Sequence, residues 1–176
     1  MNNVFDLVAD FYGQDEEWNS VLRQSYVENF LRSKSWQGAE DKELTEYWDY
    51  ITLLCIYLGN SENFLGDMSK DDFIDCIAWC GRTVADFALT DKKVAKFLDV
   101  MDELYTHLHN KKIIMSCAAP SEAKAKLLPE GKLTLMDYEG NFLPDCNKFN
   151  LYSTADLPAK IFLNIGDNTN ITSIKA

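Results

Sequence analysis

Cys76 and Cys80 stand four residues apart, a spacing that sets two sulfurs on one side of a helix and could hold part of a soft-metal site. A structural zinc site needs four ligands, and nothing nearby completes the set. His107 and His109 are the only histidines, and two apart on a helix they point to nearly opposite sides and cannot chelate together. A catalytic arrangement would take Cys76 as nucleophile, His107 as base and Asp71 or Asp72 to orient the imidazole. Carboxylates around a thiol raise its pKa, so the acids that would orient His107 would also quench Cys76. The chain is therefore read as having no catalytic residues, no metal ligands and no cofactor, with Cys76 and Cys80 as small buried thiols.

Other chemistry is equally thinly supported. The cysteines number five (Cys55, Cys76, Cys80, Cys117 and Cys146), an odd set without ribbon or finger spacing. No glycine-rich phosphate loop, H-E-x-x-H pair or dinucleotide fingerprint occurs, and the eight glycines, Gly81 apart, fall at expected helix ends and turns. Gly166-Asp167-Asn168-Thr169-Asn170 lacks the spaced acids and closing glutamate of a calcium loop and reads as a hairpin turn. What remains is aromatic: Trp36 and Phe64 in expected loops, and Trp79 off the main phase of its helix. Such residues either plug the ends of a helical bundle or anchor a partner. Trp36, Phe64 and Trp79 are the candidate partner-binding residues.

The elements that must carry these residues are mainly helical. Val4, Phe5, Val8, Phe11 and Tyr12 predict a helix over about 3–12, ended by Gly13. Trp18, Val21, Leu22, Tyr26, Phe30 and Leu31 continue a helical rhythm from near Asp15 to about Lys34. Leu44, Tyr47, Trp48, Ile51, Leu54, Cys55 and Leu58 recur at steps of three and four, the clearest helix in the chain, and Cys55–Leu58 is apolar around much of its circumference. Ser69 with Asp72 reads as a capping box opening a fourth helix through Phe87, weakened by Gly81. Thr90 caps a fifth, whose buried face runs from Val94 through Leu108 and whose negative end meets Lys111 and Lys112. A link of two or three residues between the last two predicts an antiparallel hairpin in which facing residue numbers add to roughly 179. His107 would then face Asp72 or Phe73.

After Ile113-Ile114-Met115 the composition changes. Pro120 and Pro129 bracket a short helical turn at 121–127, after which alternating residues from Leu133 and two turn signals predict a β-rich tail. The expected organisation is a five-helix bundle over 1–115, a linker over 116–131 and an antiparallel β segment over 132–176, mainly α and α+β overall. So small a sheet must lean on the bundle or on a partner.

The net charge of −11 is uneven: residues 1–75 hold 16 acids against 5 bases, and residues 76–176 hold 12 of each. Half of those 16 stand at expected helix starts, where they complement the helix dipole. The remainder could attract a basic partner and would repel a phosphate backbone. The opening residues lack a secretory signal, and no apolar run approaches the roughly 20 residues of a membrane span, so a cytoplasmic protein off the membrane is expected. The rhythm from Tyr47 through Ile114, with Met68–Phe73 opening a helix and a hairpin after it, resembles in layout the helical core-binding domain of tyrosine recombinases. That likeness spans under half the chain and carries no catalytic Arg, His and Tyr domain with it. It implies a nucleic-acid-associated accessory role, which the acidic first 75 residues oppose. A small thiol or metal enzyme is a further alternative. The leading expectation is a non-enzymatic partner-binding or regulatory protein, for example of inhibitor or immunity type, acting on another, basic protein.

Overall fold

The computed structural model describes residues 3–13, 18–61, 63–84 and 87–134. Among them run six α-helices: α1 Val4–Tyr12, α2 Trp18–Trp36, α3 Asp41–Gly59, α4 Lys70–Thr83, α5 Asp91–Asn110 and α6 Ala119–Leu127. Short 3-10 turns lie at Leu65–Asp67 and Pro129–Gly131. The mainly α expectation stands, with six helices where five were expected: the short turn after Pro120 is a full helix, and Pro120 sits in its first turn, where its missing N–H costs nothing. No strand occurs among the described residues, and the expected β segment from 135 onward lies outside them. No described helix is long and apolar enough to cross a membrane.

Local signals set most helix ends. The Asn3 side chain accepts from the Asp6 amide at 3.0 Å, and Gly13 closes α1 at φ 57, a conformation glycine takes without strain. At α3 the Glu40 amide donates to Glu43 Oε1 at 3.2 Å, giving two of the clustered acids a structural use. Ser69 and Asp72 form the expected reciprocal cap: Ser69 N donates to Asp72 Oδ2 at 2.8 Å, and Asp72 N donates to Ser69 Oγ at 3.1 Å. Thr90 Oγ1 accepts from the Lys93 amide at 3.1 Å and starts α5.

Two boundaries differ from expectation. Trp36 is the last residue of α2, because the capping signals lie beyond it: Ala39 N reaches back to Lys34 O at 3.0 Å while Gly38 takes φ 101. Helix α4 ends at Thr83, so residues 84–90 link it to α5 in place of the expected two or three. The cause is Gly81, where an added Cβ would lie 2.4 Å from Leu89 Cδ1; the link folds back over a helix surface that has no side chain.

Two compact units are distinguished, the first reaching to Phe73 and including 96–123, the second made of Ile74–Ala95 with the described residues from Lys124. In the first, α1, α2 and α3 pack on one another, and the later turns of α5 join them. Val8, Leu31, Ile51, Val100, Met101, Leu104 and Leu108 have no exposed surface. Leu53, Leu54, Cys55, Tyr57 and Leu58 of α3 are buried while Thr52 and Ile56 are half-buried, so this stretch is covered on more than one side, as its composition predicts. Helix α2 runs antiparallel to α5, since the Phe30 ring meets His107 at 5.6 Å and Lys34 pairs with Glu103 at 2.5 Å. Phe73 meets the ring of Tyr105 at 5.2 Å, one residue from the expected register, so the partner of His107 is Phe30 and not Asp72 or Phe73. In the second unit, Asp91 Oδ1 accepts from the Leu133 amide at 2.7 Å and Thr134 N donates to Leu127 O at 2.6 Å, which tie the segment after α6 to the start of α5.

Candidate partner-binding groove

Within the first unit an apolar groove of about 230 Å³ lies between α2, the Leu65–Asp67 turn and the residues that follow α5. Leu22, Arg23 and Tyr26 supply one wall, Phe64 to Asp67 the second, and Ile113 and Ile114 the third. Each wall has a local cause. The 3-10 turn is held by the Tyr105 hydroxyl, which donates to Leu65 O at 2.5 Å inside the core, and by Asp67 N donating to Phe64 O at 3.0 Å. Gly66 lets Ile114 approach, since a Cβ there would lie 3.2 Å from Ile114 Cγ2. Ile113 N reaches back to Leu108 O at 2.9 Å while Lys112 takes φ 61, turning the chain off α5 toward the groove.

The groove is greasy and open. Phe64 is 52% exposed and Ile113 38%, while Leu65 and Ile114 are buried beneath them. One cation enters this apolar wall. Arg23 Nη2 donates to Ser20 Oγ at 3.4 Å, and its guanidinium stands beside the Tyr12 hydroxyl, which in turn lies 3.2 Å from Cys55 Sγ. Burial pushes the Tyr12 hydroxyl well up, with the neighbouring Cys55 adding to the rise and Arg23 opposing it. Burial also pushes the Cys55 thiol up to about 11, with Tyr12 and Arg23 opposing. Cys55 is therefore a neutral thiol at pH 7 and a poor nucleophile. Among the described residues Arg23 has no carboxylate at ion-pair distance, and its Nε is enclosed without an acceptor.

A second, polar trough of about 300 Å³ follows the α2/α5 seam, lined by Ser33, Lys34, Gln37, Glu103, Thr106 and His107 among others. Its charges are already committed. Glu103 accepts the Tyr47 hydroxyl at 3.0 Å as well as the Lys34 ammonium, so it is not poised as a base. Burial first, then hydrogen bonding to Glu103, pushes the Tyr47 hydroxyl up to about 12. The His107 imidazole is held below its ordinary value by burial, then by the Lys111 and Lys34 charges. The trough is a seam between helices that the Lys34–Glu103 pair crosses.

Of the sequence candidates, Phe64 lines the groove, and Trp36, 80% exposed at the end of α2, is not among its walls. Trp79 is half-buried on α4 in the second unit, where its carbonyl accepts from Thr83 Oγ1 at 2.7 Å. Cys76 and Cys80 are buried, and no group of three or more His, Cys, Asp or Glu among the described residues is placed to hold a metal. Sequence reasoning missed Arg23, Tyr26 and Ile113. The apolar run Ile113-Ile114-Met115 just past a helix stop was the one available signal, and Met115 is indeed 96% exposed. No family model matches the chain, and no curated protein or solved structure matches it.

Proposed function

We propose that this chain is a non-enzymatic partner-binding protein whose contact surface is built round the Phe64 groove, and that its partner is a protein of net positive charge. The observation that carries this reading is the exposure of Phe64 and Ile113 on either side of one cavity, with Leu65 and Ile114 as a ready-packed floor. Large apolar side chains half in water gain free energy when a partner covers them, about 25 cal/mol for each Å² removed from solvent. Such clusters, rimmed by polar residues, are where binding energy concentrates. The net charge of −11, with 16 acids to 5 bases before residue 76, supports a basic partner by raising its rate of encounter. An inhibitor or immunity-type protein that covers a basic target is one concrete form of this function.

The test compares the intact chain with Phe64→Asp as baits in parallel pull-downs at roughly 50 mM and roughly 300 mM salt, a range over which charge screening changes strongly. The expected outcome is a basic protein held by the intact chain, lost on Phe64→Asp and weakened by salt. Retention by Phe64→Asp would remove the groove from the interface. Binding that ignores salt, or an acidic partner, would remove the charge argument.

A further inference from the structure

Arg23 is out of place as a purely structural residue. It is one of 17 cations in a chain with 28 acids, yet among the described residues it has no carboxylate at ion-pair distance. Its Nε is shut away from solvent without an acceptor, and the hydrogen bonds its guanidinium does make are to neutral hydroxyls, Ser20 Oγ at a long 3.4 Å and Tyr12. A buried donor left without a partner is costly, and a guanidinium is shaped to take a carboxylate through two parallel N–H bonds. The same side chain lines an apolar groove. We propose that this groove captures the C-terminal residue of a partner protein, its apolar side chain resting on Phe64, Leu65 and Ile114 and its α-carboxylate held by Arg23. This rests on the reading of the groove as the partner surface and names what occupies it.

Three features select a chain terminus. The cavity, about 230 Å³, is smaller than the roughly 300–1,000 Å³ of sites that enclose a whole small molecule, so it suits a single residue. A terminal residue carries its apolar side chain and its carboxylate on one Cα, the closest spacing of greasy group and anion that a polypeptide offers. Asp67 lines the same cavity, so a second anionic group on the ligand is repelled, which disfavours an acidic side chain beside the terminus. Turning the Arg23 side chain outward brings Nε and one Nη to the carboxylate as a fork, and supplies the acceptor that Nε lacks. Long-range charge then draws in a basic protein, while the groove reads one anion at its end.

The experiment needs no knowledge of the partner. The full chain, ¹⁵N-labelled and with ¹³C-labelled isoleucine methyls, is titrated with acetyl-Ser-Ser-Phe-Leu bearing a free C-terminus, with the same peptide amidated, and with amidated acetyl-Ser-Phe-Glu-Leu, whose carboxylate is internal. The expected result is a saturable shift of the Arg23 Nε–H resonance and the Ile113 and Ile114 methyls by the free-acid peptide. The two amides should bind at least tenfold more weakly. Arg23→Gln should abolish the preference for the free acid, and Arg23→Lys, which keeps the charge without the fork, should restore only part of it. Equal binding of acid and amide would sink the carboxylate site while leaving the groove as an apolar anchor. Preference for the internal glutamate would overturn the terminus in favour of an acidic side chain. No shift with any peptide would defeat both this inference and the groove as a partner surface. The comparison of peptides on the unaltered chain holds even if a variant misfolds.

Discussion

Single side chains in this protein are tuned mostly by burial. His107 shows how a residue with catalytic potential is spent on packing: its ring sits edge-on to Phe30 at 5.6 Å, between the Lys34 and Lys111 charges, with Glu103 and Asp102 on its own helix. Its folded pKa lies below the ordinary value of 6.5, because burial and two cations disfavour the imidazolium. The sign follows. Above pH 6.5 neither the folded nor the unfolded state holds the proton, and no stability is at stake. As pH falls through 6.5 the unfolded chain takes up a proton that the folded chain resists, so stability drops until the folded pKa is reached. His107 is partly exposed, so the effect is small. The loss of Tm between pH 7.5 and pH 5.5, read by circular dichroism, should be smaller in His107→Gln than in the parent; an equal or larger loss in the variant would show that His107 is not among its causes.

At the scale of elements, the helices begin where capping chemistry tells them to, while α4 ends where a tertiary contact does. Gly81 is the sharpest case. Alanine should favour a helix interior by about 1 kcal/mol over glycine. Yet a Cβ at 81 would come within 2.4 to 2.9 Å of three Leu89 atoms, including the branch point Cγ, so the whole Leu89 side chain would have to move. Leu89 is fully buried and has nowhere to go without disturbing its neighbours. Overpacking of this kind costs about 1–3 kcal/mol and wins over the helix preference. Urea denaturation of Gly81→Ala should therefore show a net loss of about 1–2 kcal/mol. Adding Leu89→Ala to it should cost less than Leu89→Ala costs alone, because the clash is gone. Simple additivity of the two changes would mean that the link does not lie on this glycine.

Across the whole molecule, charge is the dominant long-range quantity. A net charge of −11 repels itself in the compact state. Opposing it are ion pairs such as Lys34–Glu103 and the more exposed Lys96–Glu46 at 3.6 Å, and pairs this accessible contribute about 0–1 kcal/mol each. Salt screens both effects, but repulsion is the larger. Raising ionic strength from about 20 to about 200 mM should therefore raise Tm by a few degrees. A fall in Tm over that range would mean that favourable pairs outweigh the net charge.

How much of this was legible in residue order depends on the range of the physics. The Asn3, Ser69 and Thr90 starts, the Gly13 stop and the burial of Cys55, Tyr57 and Leu58 on more than one side of α3 follow from groups within a few residues of each other, so sequence by itself determined them. The same holds for the burial of Cys80, which follows from its place on the core stripe of its helix. Other features were settled only in three dimensions. That α4 stops at Thr83 depends on Leu89 folding over Gly81; that Phe64 faces a groove depends on Tyr105 gripping the Leu65 carbonyl from a distant helix. Arg23 became conspicuous for the same reason. An arginine on an amphipathic helix is unremarkable until packing decides that no described carboxylate reaches ion-pair distance of it and that a largely apolar cavity lies beside it. Capping and periodicity act along the chain, whereas the placing of a cation beside a greasy cleft is made by segments far apart in sequence, whose meeting no local rule encodes.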